Sequence, residues 1–131
     1  MAITNETQIV DLRSHHSMDE TVDRLKRLLE SKGIKLFALV DHSGEAEKAG
    51  MTMPPTKLFI FGNPSAGTPV MLAAPTSAID LPLKILICEN SDGEVLVSYN
   101  SLEFLEHRHT IPHELMQNLA AVRLLAEKVA E

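Results

Sequence analysis

Three short segments carry the side chains best suited to chemistry. Asp41-His42 sets a carboxylate beside an imidazole. An imidazole titrates near pH ~6.5, so His42 is a candidate general base or metal ligand, with Asp41 fixing its tautomer. The simpler reading has Asp41 or Ser43 capping a short helix over 45–49, with His42 in the turn. Gly62-Asn63-Pro64-Ser65-Ala66-Gly67-Thr68 has the Gly-x4-Gly spacing of a phosphate loop. That loop needs a lysine between its last glycine and the hydroxyl residue. Here Thr68 follows Gly67 directly, and Pro64 removes one N–H, which excludes a nucleotide triphosphatase. Two readings remain: backbone N–H groups near Thr68 hold a small anion, or the segment is a rigid turn. Asp80-Leu81-Pro82-Leu83-Lys84 puts an acid and a base on either side of an X-Pro step. Asp80 can accept backbone N–H groups, and Lys84 either faces solvent or offers a cation to an acidic ligand.

Other reactive side chains form weaker patterns. His107, His109 and His113 crowd seven residues, and three imidazoles suffice for an open zinc site. Their spacing matches no zinc motif, since positions 107 and 109 diverge by about 200° on a helix. His15-His16 adds two more without order. No metal and no cofactor is therefore expected. Cys88 is the single cysteine, so no intrachain disulfide forms. Set within Leu86-Ile87-Cys88, it reads as a buried, inert thiol.

The frame for these groups is one domain of 131 residues. Lys and Arg number 12 against 18 Asp and Glu, a formal charge of −6. The basic residues are scattered, and those at Arg24-Lys26-Arg27 share a helix with Asp19, Glu20, Asp23 and Glu30. Nucleic-acid binding needs clustered cations on phosphates and is not expected. Apolar residues make up 44%, enough for a core. Neither a secretory leader nor a run of ~18 apolar residues is visible, which points to a cytoplasmic protein without membrane association.

Local signals give the elements. Gln8 to Arg13 reads as a strand. Ser17-Met18-Asp19-Glu20 has capping-box form, and Met18, Val22, Leu25, Leu28 and Leu29 follow helical spacing. The spacing predicts a helix over 17–32, ended by Gly33. Strands follow at 34–40 and 56–61. Thr68 and Pro69 read as cap and first position of a short helix that Pro75 stops. Strands at 84–88 and 94–99 flank Asp92-Gly93, a strong hairpin signal. Ser101 caps a short helix through Leu105. Leu115, Leu119, Val122, Ala126 and Val129 make the buried stripe of a last helix over 112–129. Residues 1–7 read as a flexible tail. The fold class is α+β: a two-layer sandwich with a mostly antiparallel five-stranded sheet and two long helices on one face. Leu58-Phe59-Ile60-Phe61 is apolar on both sides, so the bare face is expected to meet a second copy in a homodimer.

Several blocks together resemble the domain-of-unknown-function family 302. They are Asp41-His42 with Ala46, Phe61-Gly62-Asn63-Pro64 with Gly67-Thr68, Ile79-Asp80-Leu81-Pro82-Leu83-Lys84, and Val97-Ser98-Tyr99-Asn100. The resemblance spans about Val10 to Val129. It implies a bacterial or archaeal domain with a β-α-β4-α arrangement like the TATA-binding-protein fold class, often dimeric, and no assigned activity. Likeness to a DNA-binding saddle carries no function by itself. From the resemblance, Asp41, His42, Asn63, Thr68, Asp80 and Lys84 are expected to gather at one ligand-binding cleft. The leading functional reading is a homodimeric module for a small molecule or anion. The alternatives are a protein interaction module, or a hydrolase or isomerase using His42 with Asp41 and Lys84.

Overall fold

The computed structural model describes residues 2–4 and 8–131, with side chains described from residue 8 onward. Strand β2 (Ile9–Arg13) leads to helix α1 (Met18–Ser31). Ser17 caps α1 by accepting the Glu20 N–H, and Gly33 takes φ 65° just past its end. Both are what the local sequence dictates. Strand β3 (Lys35–Asp41), helix α2 (His42–Lys48) and strand β4 (Thr56–Gly62) follow. Then come helix α3 (Pro64–Ala73), a 3₁₀ turn (Pro75–Ile79), and strands β5 (Leu83–Glu89) and β6 (Val95–Asn100). Helix α4 (Leu102–His109), a 3₁₀ segment (His113–Leu119) and helix α5 (Ala121–Ala130) complete the chain.

The five expected strands are β2 to β6. A short strand β1 (Ala2–Thr4) extends their edge, pairing with β2 through Ile3 opposite Asp11. Of the expected tail, Ala2–Thr4 is thus paired, and residues 1 and 5–7 lie outside the described residues. The sheet order is β1-β2-β6-β5-β4-β3, and every neighbouring pair is antiparallel. The chain is therefore an antiparallel α+β sandwich.

Alternation decides which side chains form the core. Val10, Leu12, Phe59, Phe61, Ile85, Ile87 and Val97 point to one face and are buried. Helices α1 and α5 pack there and against each other, burying Val22, Leu25 and Leu29 from α1 and Val122, Leu125 and Val129 from α5. Each such side chain contributes roughly 1.5–3 kcal/mol. The opposite face carries Leu58 beside Leu86 and Cys88 beside Leu96, all only partly buried.

Helix α2 begins at His42 rather than 45, and α4 runs on to His109 rather than stopping at Leu105; two other helices depart further. α3 starts at Pro64 rather than beyond Thr68, because Asn63 accepts the Ser65 N–H at 2.9 Å and Pro64 occupies the first turn. Asn-Pro is itself a cap-and-start signal, and Pro69 falls inside the helix. The last helix is not continuous over 112–129. Its first part is 3₁₀, closed by Ala120 N to Gln117 O at 3.3 Å. Three residues per turn align Met116 with Leu119, and both are buried.

Candidate functional site

Strand β4 ends at Gly62, and the chain turns at once into α3. That turn opens a cavity of about 500 Å³, within the usual ~300–1,000 Å³ range of small-molecule sites. Phe61, Leu83 and Leu119 line it, and all three are buried in the core. Ile34 and Phe37 close one side, and Leu81 with Pro82 close another. Gly67 and Met71 of α3 supply a third. Phe37 is 43% exposed and stands at the irregularity in β3, where pairing with β4 shifts between Leu36 and Ala38. The Leu81-Pro82 peptide is cis.

The polar lining is sparse. It consists of Asn63, Thr68 and Asn118, and none of the lining residues carries a charge. The Asn118 amide Nδ2 donates to the Ala66 carbonyl at 3.0 Å. A Cβ built on Gly67 would meet only Met71 Cε at 3.9 Å, so the missing side chain leaves room beside the cavity wall.

Of the six residues expected at one cleft, the structure brings Asn63 and Thr68 to this cavity. Asp41 and His42 sit elsewhere. β3 pairs Lys35 with Gly62 at the cavity end and Asp41 with Lys57 at the other, about 20 Å away at ~3.3 Å per residue. Asp41 is the cap of α2, accepting the Gly44 N–H at 3.0 Å and the Ser43 hydroxyl at 3.0 Å. Those bonds, the backbone one foremost, hold its carboxyl below the ordinary value. His42 is the first, exposed residue of that helix.

Lys84 faces Ile60 in β4, and Ile60 faces Ala38 in β3. Its ammonium donates to the carbonyls of Asp80 and Pro82, both at 3.0 Å. Burial pushes its pKa down, partly opposed by the Asp80 carboxylate. Lys84 therefore ties down the chain segment behind the cavity wall. It lies two strand spacings, about 10 Å, from β3, and about 13 Å along the sheet from the level of His42. The pairing needed for a His42-based hydrolase or isomerase is absent.

Asp80 belongs to a cluster that the sequence did not suggest. Its Oδ2 lies 2.5 Å from His109 Nε2 and 3.1 Å from Arg108 Nη1. His109 Nδ1 lies 2.8 Å from the Thr76 hydroxyl. The His109 side chain is 3% exposed and Asp80 13%, so the pair is nearly dry. The other histidines do not join it: His113 Nδ1 pairs with Glu106 at 2.9 Å, and His107 is exposed. Among the described residues no group of His, Cys, Asp and Glu has the arrangement of a metal site. Cys88 is half-buried, and burial followed by the Asp11 charge raises its thiol pKa.

The lining also takes Phe37 from the expected strand over 34–40, Met71 and Asn118 from expected helices, and Leu81 from the X-Pro step; nothing local in the sequence marks a side chain as lining a cavity.

A relative from Brucella suis, described as fluoride-specific ion channel FluC 1, is 38% identical over 111 residues, covering 85% of this chain and 44% of the relative. A protein of that description from Brucella abortus is also 38% identical over 111 residues, with 41% of it covered. The chain thus spans less than half the length of these curated relatives. No helix of the described residues is long and apolar enough to cross a membrane. The crystal structure of an uncharacterized conserved DUF302 protein from Bacillus stearothermophilus superposes with a TM-score of 0.76. It covers 94% of this chain and 95% of that one at 15% identity, which shows a shared fold. The model of the domain of unknown function DUF302 matches residues 10–128, and the chain belongs to the DUF302 family.

Proposed function

We propose that this domain binds a small, uncharged, mostly apolar molecule in the cavity between β4, α3 and the 3₁₀ segment His113–Leu119. One observation carries this reading: a cavity of about 500 Å³ whose lining is apolar except for Asn63, Thr68 and Asn118. Burying a charged ligand there is costly, because no opposite charge lines the wall to compensate lost hydration. The anionic ligand expected from Lys84 loses its support, since that ammonium is engaged by two carbonyls.

The test uses the neutral dye Nile red, whose emission rises in apolar sites. Saturable binding, with a rise in thermal midpoint, is the expected result, because a ligand of the folded state stabilises by about 2.7 kcal/mol at a hundredfold excess over Kd. Gly67→Leu, which fills the space beside Met71, should abolish binding while the protein stays folded. Equal binding by that variant overturns the reading.

A second copy over the open sheet face is the oligomeric reading. Leu58, Leu86, Cys88 and Leu96 form adjoining apolar pairs there and keep partial exposure, a patch of the kind that marks association. Sedimentation equilibrium should give twice the chain mass, and Leu86→Lys should return it to monomer. A wild-type protein sedimenting at one chain mass overturns this reading.

A further inference from the structure

We infer that Thr76, His109 and Asp80 form a nucleophile, its base and a positioning residue, and that the Thr76 hydroxyl accepts the acyl group of an ester reaching it from solvent. The site is separate from the cavity, which none of the three residues lines. It stands whether or not that cavity holds a ligand.

The geometry begins in one short turn. Thr76 lies in the 3₁₀ turn Pro75–Ile79, and Asp80 follows that turn directly. Between them they hold both nitrogens of one imidazole from the end of α4. His109 Nε2 meets Asp80 Oδ2 at 2.5 Å, and His109 Nδ1 meets the Thr76 hydroxyl at 2.8 Å. An ionised carboxylate only accepts, and that of Asp80 is paired with Arg108 at 3.1 Å. Nε2 is then the nitrogen that carries the proton. In the neutral imidazole this leaves Nδ1 with its lone pair, free to accept the Thr76 O–H. A hydroxyl, an imidazole and a carboxylate in that order make an activated nucleophile, which is recognised by geometry rather than by order in the chain. The 2.8 Å contact lies within the reach needed for proton transfer, about 2.6–3.2 Å.

Exposure differs along the relay. The His109 side chain is 3% exposed, so water does not compete for its nitrogens. Thr76 is exposed, so an ester can approach the hydroxyl. In the reaction, Thr76 Oγ1 bonds to the ester carbonyl carbon while its proton passes to His109 Nδ1. The bond from that carbon to the alcohol oxygen breaks, and the leaving alcohol takes the proton from Nδ1. The products are an acyl ester of Thr76 and the free alcohol, and nothing is oxidised or reduced. Asp80 touches neither reactant and acts by holding the imidazole in the useful tautomer.

The test treats the protein with 4-nitrophenyl acetate, quenches in acid and analyses the tryptic peptide 58–84 by mass spectrometry. That peptide holds both Thr68 and Thr76 and no internal lysine. Thr68 is exposed too, yet among the described residues no imidazole meets its hydroxyl, so the two threonines form an internal comparison. Thr76 should be acetylated about a hundredfold faster than Thr68, the low end of general-base catalysis. Its rate should fall in heavy water, because a proton moves in that step. Asp80→Asn and His109→Gln should bring Thr76 down towards Thr68. Arg108→Ala, which leaves the His109 contact in place, should keep most of the rate, and Thr76→Ser should remain reactive. Circular dichroism checks that each variant is folded, and the wild-type ratio with its heavy-water effect decides the matter for any that is not. Equal acetylation of Thr76 and Thr68 in the wild-type protein overturns the inference. So does a Thr76 rate unchanged by heavy water, or a folded Asp80→Asn that keeps the wild-type rate.

Discussion

His109 Nε2 lies 2.5 Å from Asp80 Oδ2, joining the end of α4 to the segment that enters β5. The same carboxylate receives Arg108 at 3.1 Å, but the two bonds differ in worth. His109 is nearly dry, at 3% exposure, whereas the Arg108 side chain is 47% exposed. Removing one partner of a dry charge-assisted bond costs about 2–3 kcal/mol, and an exposed ion pair about 1 kcal/mol or less. Urea denaturation should therefore show His109→Leu and Asp80→Asn each losing about 2–3 kcal/mol. Arg108→Ala should lose about 1 kcal/mol or less. Equal losses from Arg108→Ala and His109→Leu would show that burial does not govern this cluster. The cluster anchors Asp80, and Lys84 holds the Asp80 and Pro82 carbonyls. The cavity wall at Leu81 and Pro82 is thus gripped from both sides.

Asp41 makes α2 sensitive to acid. Its folded pKa lies below the ordinary 3.8, chiefly through the Gly44 N–H. A depressed carboxylate contributes stability that is present above the unfolded pKa and is lost as pH falls through the folded one. Asp41→Ala should therefore protect the Gly44 amide less well against hydrogen exchange at pH 6. The difference from wild type should fade below pH ~3.8. Asp41→Ser, which caps without titrating, should keep protection at both pH values. A wild-type advantage that persists unchanged at pH 2 contradicts this account.

Gly67 separates stability from binding. It sits inside α3 with an ordinary backbone angle, since the positive-φ glycines are Gly33, Gly50 and Gly93. Alanine there gains helix propensity of about 0.5–1 kcal/mol, and its methyl meets only Met71 Cε at 3.9 Å. Gly67→Ala should raise the thermal midpoint and weaken Nile red binding. A variant that is more stable and binds dye equally well would place the ligand away from α3.

Cys88 should alkylate slowly. Burial and the Asp11 charge raise its thiol pKa, so less thiolate, the reactive form, is present at pH 8. Iodoacetamide should modify it more slowly than a short unstructured peptide thiol, with parity restored in urea. In the dimer proposed above, dilution below the dissociation constant should speed the reaction. A native-state rate matching the peptide contradicts the burial.

Short-range signals carried most of the element pattern. Ser17 caps α1 through Glu20 N because both groups lie within one helical turn. Gly93 turns the β5–β6 hairpin at φ 78° because Asp-Gly needs no distant help. Phe59, Phe61, Ile85 and Ile87 share one face and are buried, but Leu58 and Ile60 make β4 apolar on both sides, so alternation alone does not say which face turns inward. The amphipathic stripe of the last helix was legible, yet its 3₁₀ opening was not. Packing of Met116 and Leu119 decided that geometry, and propensity does not encode it.

Asp80 and His109 are 29 positions apart, and Asn118 reaches Ala66 across 52. No periodicity relates such positions, because their meeting depends on strand order and on how the helices stack. The family resemblance implies Asp41 and His42 as partners of Asn63, and each does stand at a strand end. Strands have two ends, and the antiparallel pairing of β3 with β4 put these residues at different ones. Caps, turns and the buried stripe are legible from neighbours a few residues away. Which polar groups share a cavity follows from register and packing between segments the chain keeps far apart, so it emerges with the folded arrangement alone.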